Sequence, residues 1–156
     1  MKRLSCILAL ALLLSVGSTV VKAQTCNQYI TNKSNITMKK NNETIQRILK
    51  AVELYAEAGR KGSREIGKQA FTEAATMSWV ENGKITTVPI TALFDGLEAT
   101  GEQEVTYDVA SVNIAGDIAF VRIESTFSKL GSYDDLFTLA EQDGEWKIVS
   151  KIYHTR

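Results

Sequence analysis

The chain has 156 residues, 44% of them hydrophobic and 23% charged, with 18 basic residues balanced by 18 acidic ones. No run of Lys and Arg stands out, so composition gives no electrostatic case for binding nucleic acid or an anionic membrane surface. Two cysteines and one histidine are too few for a disulfide framework or a Cys/His metal centre, and no cofactor-binding fingerprint is present.

In chain order, the first 23 residues come first. Lys2 and Arg3 precede an apolar run from Leu4 to Val16, and Val21 and Ala23 are small residues suited to a cleavage site. This is the layout of a secretory signal peptide, too short for a comfortable membrane span. Cleavage after Ala23 predicts a secreted or periplasmic protein of residues 24–156, with no membrane span and a net charge of −3, since Lys2, Arg3 and Lys22 leave with the signal. Cys6 leaves too, and Cys26 then stands as an unpaired thiol in an oxidising compartment. Residues 24–42 read as a polar leader rich in Asn, Thr and Lys. Asn32, Asn35 and Asn42 head N-x-S/T sequons there, a pattern that such a composition also makes by chance.

Residues 43–156 read as one domain. In "ETIQRILKAVELYAEAG" the residues Ile45, Ile48, Leu49, Val52, Tyr55 and Ala56 recur at helical spacing, and Gly59 is placed to end the helix. Ser63 suits the N-cap of a second helix carrying Ile66, Ala70 and Phe71 on one side. The period then changes to that of strands. Asn82-Gly83 tolerates the positive φ of a tight hairpin and predicts that Met77 to Val80 pair with Ile85 to Val88. Pro89, the only proline, fits the first turn of a short helix with Ile90, Leu93, Phe94 and Leu97 on its apolar face. Four strands follow Glu104, with turns at Gly116-Asp117, "SKLGS" and Asp143-Gly144. Helices first and an antiparallel meander after is an α+β pattern, with the helices covering one face of a curved sheet.

Two-residue loops set registers. Around Asp143-Gly144, Glu141 lies opposite Trp146, Leu139 opposite Ile148, Phe137 opposite Ser150, Asp135 opposite Ile152 and Tyr133 opposite His154. These ten share the more apolar face, which is expected to lie under the helices, leaving Lys147, Val149, Lys151 and Tyr153 outside. Around Gly116-Asp117, Ile114 pairs with Ala119, Val112 with Val121 and Ala110 with Ile123. His154 then comes diagonal to Asp135, at about 7 Å between backbones, a span side chains can bridge. A bulge in either hairpin would undo the assignment.

Three helices, the "SWVENGKITTVP" hairpin and the closing "YDDLFTLAEQDGEWKIVSKIYH" resemble the nuclear transport factor 2-like superfamily, in particular its bacterial branch called "putative lumazine-binding". The similarity covers residues 43–154. It implies a cone-shaped fold, with helices packed into a bent antiparallel sheet around a cavity. The superfamily contains isomerases, dehydratases and cyclases as well as members without catalysis, so the fold leaves the function open. Where relatives often carry Phe-His-Pro-Asp-Ala, this chain has Phe71, Thr72, Glu73, Ala74 and Ala75. A two-histidine dehydratase cannot be built from one histidine. The first strand, "TMSWV", offers Trp79 in place of the carboxylate base of the ketosteroid-type isomerases.

The candidate catalytic set is therefore Tyr133, Asp135 and His154, in which a carboxylate would orient an imidazole as general base and a tyrosine, Tyr133 or Tyr55, would stabilise an enolate. The same residues also read as polar groups that satisfy one another at the mouth of the core. Tyr55, Trp79 and Phe94 complete a candidate ligand site in which a flat ring could stack, and they equally suit a core; Trp146 is expected in the core. Glu73, Asp95 and Glu98 read as solvated surface. Three functions follow: a module binding a small aromatic or heterocyclic ligand without transforming it, an enzyme using His154 with Asp135, or a dimeric interaction protein. A homodimer would use the mixed outer face carrying Ile118, Phe120, Leu136, Val149 and Tyr153.

Overall fold

The computed structural model describes residues 41–156; the signal segment, Cys26, Asn32 and Asn35 lie outside them. Residues 41–61 are helical (α1), with Asn42 in the first turn. They lay Ile48, Ala51, Val52, Tyr55, Ala56 and Ala58 into the core. Gly59 does not end this helix. It lies within it where a Cβ would stand 2.4 Å from Phe127 Cε1, so glycine is required for close approach to the sheet. The stop comes at Gly62, with φ +55. There Gly62 N–H donates to Gly59 O at 3.4 Å and Ser63 N–H to Ala58 O at 2.9 Å, the paired bonds of a Schellman cap. Ser63 is at once the N-cap of α2 (Arg64–Ala70), where its Oγ accepts from Ile66 N–H at 3.4 Å.

Strands β1 (Phe71–Glu81) and β2 (Lys84–Pro89) form the expected hairpin, with Asn82 at φ 51 and Gly83 at φ 74 and Met77 opposite Val88. Pro89 finishes β2 instead of opening the helix, and Ile90 is the N-cap of α3 (Thr91–Thr100). Ile90 offers no side-chain acceptor, but its carbonyl accepts from Leu93 N–H at 3.0 Å, and its own N–H donates to Ala75 O at 2.9 Å, fixing the chain to β1. Ile90, Phe94 and Leu97 are buried as expected, and Arg64 ties α2 to Asp95 and Glu98 on the outside of α3.

The meander is β3 (Val105–Ala115), β4 (Ile118–Phe127), β5 (Gly131–Gln142) and β6 (Glu145–Thr155). Together the strands make one curved, open sheet in the order β2-β1-β6-β5-β4-β3. The α+β architecture is as expected, with one addition: β1 runs parallel to β6, so the sheet is mixed. In sequence α1 and α2 precede β1 and α3 lies between β2 and the meander, and with β6 the chain returns to the middle of the sheet beside its first strand.

Two bulges correct the sequence registers. In β3/β4, Val112–Val121 and Ile114–Ala119 pair as expected, but Ala110 is an extra residue and Ile123 lies opposite Val109. In β5/β6, Leu139–Ile148 and Glu141–Trp146 pair as expected, then Val149 is unmatched. Beyond it Ser150 faces Thr138, Ile152 faces Leu136, Tyr153 faces Asp135 and His154 faces Asp134. One unmatched residue reverses the facing of everything after it. Lys151 and Tyr153 therefore turn inward, and Ile152 and His154 turn outward.

Candidate functional site

The inward turn of β6 creates the most distinctive chemistry in the core. Asp135 on β5 has 0% exposure and Lys151 on β6 has 3%. Their charged ends lie 2.6 Å apart, Nζ to Oδ1. The two ends are in direct contact as a buried ion pair, and the ammonium is the group that faces Oδ1. The other carboxylate oxygen is well served: Ser125 Oγ–H donates to Oδ2 at 2.7 Å and Tyr55 O–H at 3.1 Å. The Lys151 ammonium lies 4.2 Å from the ring centre of Tyr153, 5.7 Å from that of Tyr55 and 5.8 Å from that of Tyr133. Aromatic faces are electron-rich, so three of them replace part of the hydration the buried cation has lost.

Burial pushes the proton affinity of Lys151 below that of an ordinary lysine, against the opposing pull of the Asp135 charge. The Tyr55 phenol moves well up, first because it is buried and then because Asp135 is negative beside it. Burial, then Asp135, raises Tyr133 as well. Burial raises Tyr153 too, so at neutral pH the three phenols are neutral groups.

Lys151 does not end in solid core. With Tyr55, Met77, Leu93, Phe127, Tyr133 and Tyr153 it lines a cavity of about 180 Å³ between α1, α3 and the inner sheet face. Ala92, Gly96 and Leu130 form its exposed rim. Most of the lining is apolar, with the ammonium as the one charged group in it. Such a chamber suits a flat apolar body with a hydrogen-bond acceptor at one edge.

The six sequence candidates separate on this geometry. Tyr55 and Tyr133 line the cavity, and Asp135 lies behind it, holding Lys151. Tyr133 O–H is engaged with Leu130 O at 2.6 Å, which fixes the ring at the rim. Trp79 is outside the lining but stacks on Tyr153, with centroids 5.6 Å apart and planes at 29°. Phe94 belongs to the core, edge-on to Phe71 at 5.9 Å, and presses on Gly67. His154 is exposed on the outer face opposite Asp134, so the expected His154–Asp135 pair and a His154 base inside the cone are both overturned by the Val149 bulge. Trp146 is buried as expected.

Sequence reasoning missed Lys151, Tyr153, Ser125 and Met77. A signal for the first existed: lysine and aspartate on neighbouring strands, each amid apolar residues, demand a common face if either is buried. A wider groove of about 470 Å³ lies near Arg47, Lys50, Trp146 and Lys147. Two of its three cations are occupied, Arg47 with Glu141 and Gly144 O, Lys147 with Gln69 O and Glu145.

The fold and cavity define an α+β cone with a lysine-bearing aromatic chamber. Residues 43–154 match the family model described as "Putative lumazine-binding", and the chain belongs to that family. Solved nuclear transport factor 2-like structures agree. A protein of unknown function from Shewanella baltica OS155 is 32% identical, covers 73% of this chain and 94% of its own, and superposes with a TM-score of 0.68. One from Silicibacter pomeroyi DSS-3 is 27% identical over 74% of this chain and 98% of its own, also at 0.68. The chain is also 28% identical over 103 residues to "Aldolase FrzH" of Cladobotryum sp., covering 65% of this chain and 82% of that protein.

Proposed function

We propose that this protein is an exported binding module that holds a small, flat, carbonyl-bearing heterocycle in the cone. The observation that carries the reading is the cavity in which Tyr55, Tyr133 and Tyr153 surround the Lys151 ammonium. Ring faces stack or edge-pack on a conjugated ligand, and the ammonium donates to a ring carbonyl. The volume, about 180 Å³, is below the roughly 300 Å³ at which drug-sized sites begin, which favours a ligand of one or two rings. The family's description adds support for a ring of that kind. Export rests on the first 23 residues and is checked by N-terminal sequencing of the protein recovered outside the cytoplasm, which should begin at Gln24.

The test of binding is a fluorescence titration with lumazine, paired with native mass spectrometry of the freshly purified protein. Saturable quenching at one ligand per chain is expected, with Tyr153→Ala weakening it roughly tenfold, equivalent to about 1.4 kcal/mol. Unsaturable quenching, unchanged in Tyr153→Ala, would refute the reading.

A second reading, an enzyme of the aldol type, draws on the fungal aldolase relative. In it the polar groups at the reacting carbonyl are Lys151, Asp135 and Tyr55. A homodimer is compatible with both. Phe120, Leu136 and Ile152 are 43%, 43% and 50% exposed on the outer face, too much apolar area to leave wet without reason, beside Arg122, Arg156, Glu124 and Asp134. Charges of both signs allow two copies to meet around a two-fold axis. Light scattering should give the mass of two chains, reduced to one by Leu136→Lys.

A further inference from the structure

We propose that Lys151 is a covalent site: its Nζ condenses with an aldehyde or ketone in the cavity to form a Schiff base, with Asp135 carrying the protons. This rests on the reading of the cavity as a ligand site and goes further by giving the ligand an electrophilic carbon. Among the described residues, the contacts of Nζ are Asp135 Oδ1 and the three tyrosine rings. A lysine serving only to neutralise a buried carboxylate gains by completing directed hydrogen bonds away from solvent. Lys151 instead meets Asp135 on one side and borders an open cavity on the other. Desolvation also favours the neutral amine, the form with a lone pair to donate.

The step balances without an added oxidant or reductant. The ammonium passes a proton to the Asp135 carboxylate at 2.6 Å, and the freed lone pair attacks the carbonyl carbon while the C=O π pair moves to oxygen. That oxygen recovers the proton from Asp135, giving a carbinolamine. Asp135 then carries a second proton from nitrogen to the hydroxyl, water departs with the C–O electron pair, and the nitrogen lone pair closes the C=N bond. The product iminium bears the one positive charge the ammonium had. It remains beside the Asp135 carboxylate and among the same ring faces, so the charge balance of the core is unchanged.

The test is reductive trapping on the full chain. Protein is incubated near neutral pH with limiting benzaldehyde and sodium cyanoborohydride, then analysed by intact mass and peptide mapping. The expected result is a gain of one benzyl group per chain, located at Lys151 ahead of the half-exposed Lys61 and Lys68. Label spread over exposed lysines with Lys151 spared would overturn the proposal. Lys151→Arg keeps the charge but removes the amine and should lose the single label. The wild-type map stands alone should that variant fold poorly. Lumazine, which is not used up by cyanoborohydride trapping at lysine, separates the two readings. Saturable lumazine binding with Lys151 unlabelled leaves the binding module and sinks the covalent site. Label at Lys151 without lumazine binding sustains the covalent site and sinks the heterocycle.

Discussion

The cost of breaking the Lys151–Asp135 pair is set by the charge left behind. Asp135 is wholly buried, and Ser125 and Tyr55 serve only one of its oxygens. Lys151→Met strands that carboxylate and should destabilise the fold by about 3–5 kcal/mol. The double change Lys151→Met with Asp135→Leu removes both charges and should recover much of the loss, because neither ion then has to be desolvated. Urea unfolding midpoints of Lys151→Met, Asp135→Leu and the double variant check this, and strictly additive losses would contradict it. Two glycines make a contrasting pair. Gly96 lies mid-helix in α3 with open space where a Cβ would go, so Gly96→Ala should stabilise by about 0.5–1 kcal/mol. At Gly67 a Cβ would stand 2.5 Å from Phe94 Cε1, so Gly67→Ala should destabilise, as thermal unfolding would report.

At the scale of elements, one unmatched residue decides where the site is. Deleting Val149 would remove the extra residue and keep Ser150 opposite Thr138 and Tyr153 opposite Asp135, so Lys151 and Tyr153 should stay inward. Deleting Val149 together with Ser150 would instead put Lys151 opposite Thr138, turn Lys151 and Tyr153 out of the core and leave Asp135 without its cation. The expected outcome is lumazine binding retained in the single deletion, and in the double deletion its loss together with a destabilisation of at least about 3 kcal/mol, read by circular dichroism in urea. A double deletion with wild-type binding would show that the spacing from Ile148 to Lys151 does not set the facing of β6. The same residue marks the limit of what the sequence made legible. Hairpin turns were readable because Asn82-Gly83 and Asp143-Gly144 carry positive φ that few residues accept, and Ser63 was readable as a cap because its hydroxyl is a specific acceptor. Val149 and Ala110 carry no such requirement: a bulge at a β-branched or small residue arises from how the sheet bends around α1, which is a tertiary effect. The parallel β1–β6 pairing is likewise a consequence of the chain's return beside β1, which local patterns do not encode. Tyr55 and Tyr133 were found because helical and strand periods on either side of the bulge are independent of it; His154 and Lys151 were exchanged because they lie beyond it.

For the whole molecule, the tyrosines make stability depend on alkaline pH. Tyr55, Tyr107, Tyr133 and Tyr153 all hold their phenol protons more tightly in the fold, chiefly through burial, with Tyr107 pushed up to about 12 by burial and by its bond to Glu53. The unfolded chain gives up these protons from the ordinary value of 10.0 upward, where the folded chain retains them. The folded state then binds more protons than the unfolded state, so stability falls as pH rises. Lys151 acts in the opposite sense, since its folded proton affinity lies below the ordinary 10.5 and its contribution rises with pH up to that value and is constant beyond. Below 10.5 the two effects oppose each other, and above it the tyrosines act alone. For fully buried Tyr55 the loss approaches about 1.4 kcal/mol for each pH unit above its unfolded value. Urea midpoints measured from about pH 9 to 11.5 should be nearly level at first and then drop, and in Lys151→Arg the drop should begin earlier because the opposing group is gone. Phenolate absorbance should report the same event from the other side. The Tyr55 signal should appear together with loss of the far-ultraviolet spectrum of the fold, and a phenolate signal complete while the protein remains folded would contradict the buried Tyr55–Asp135 arrangement.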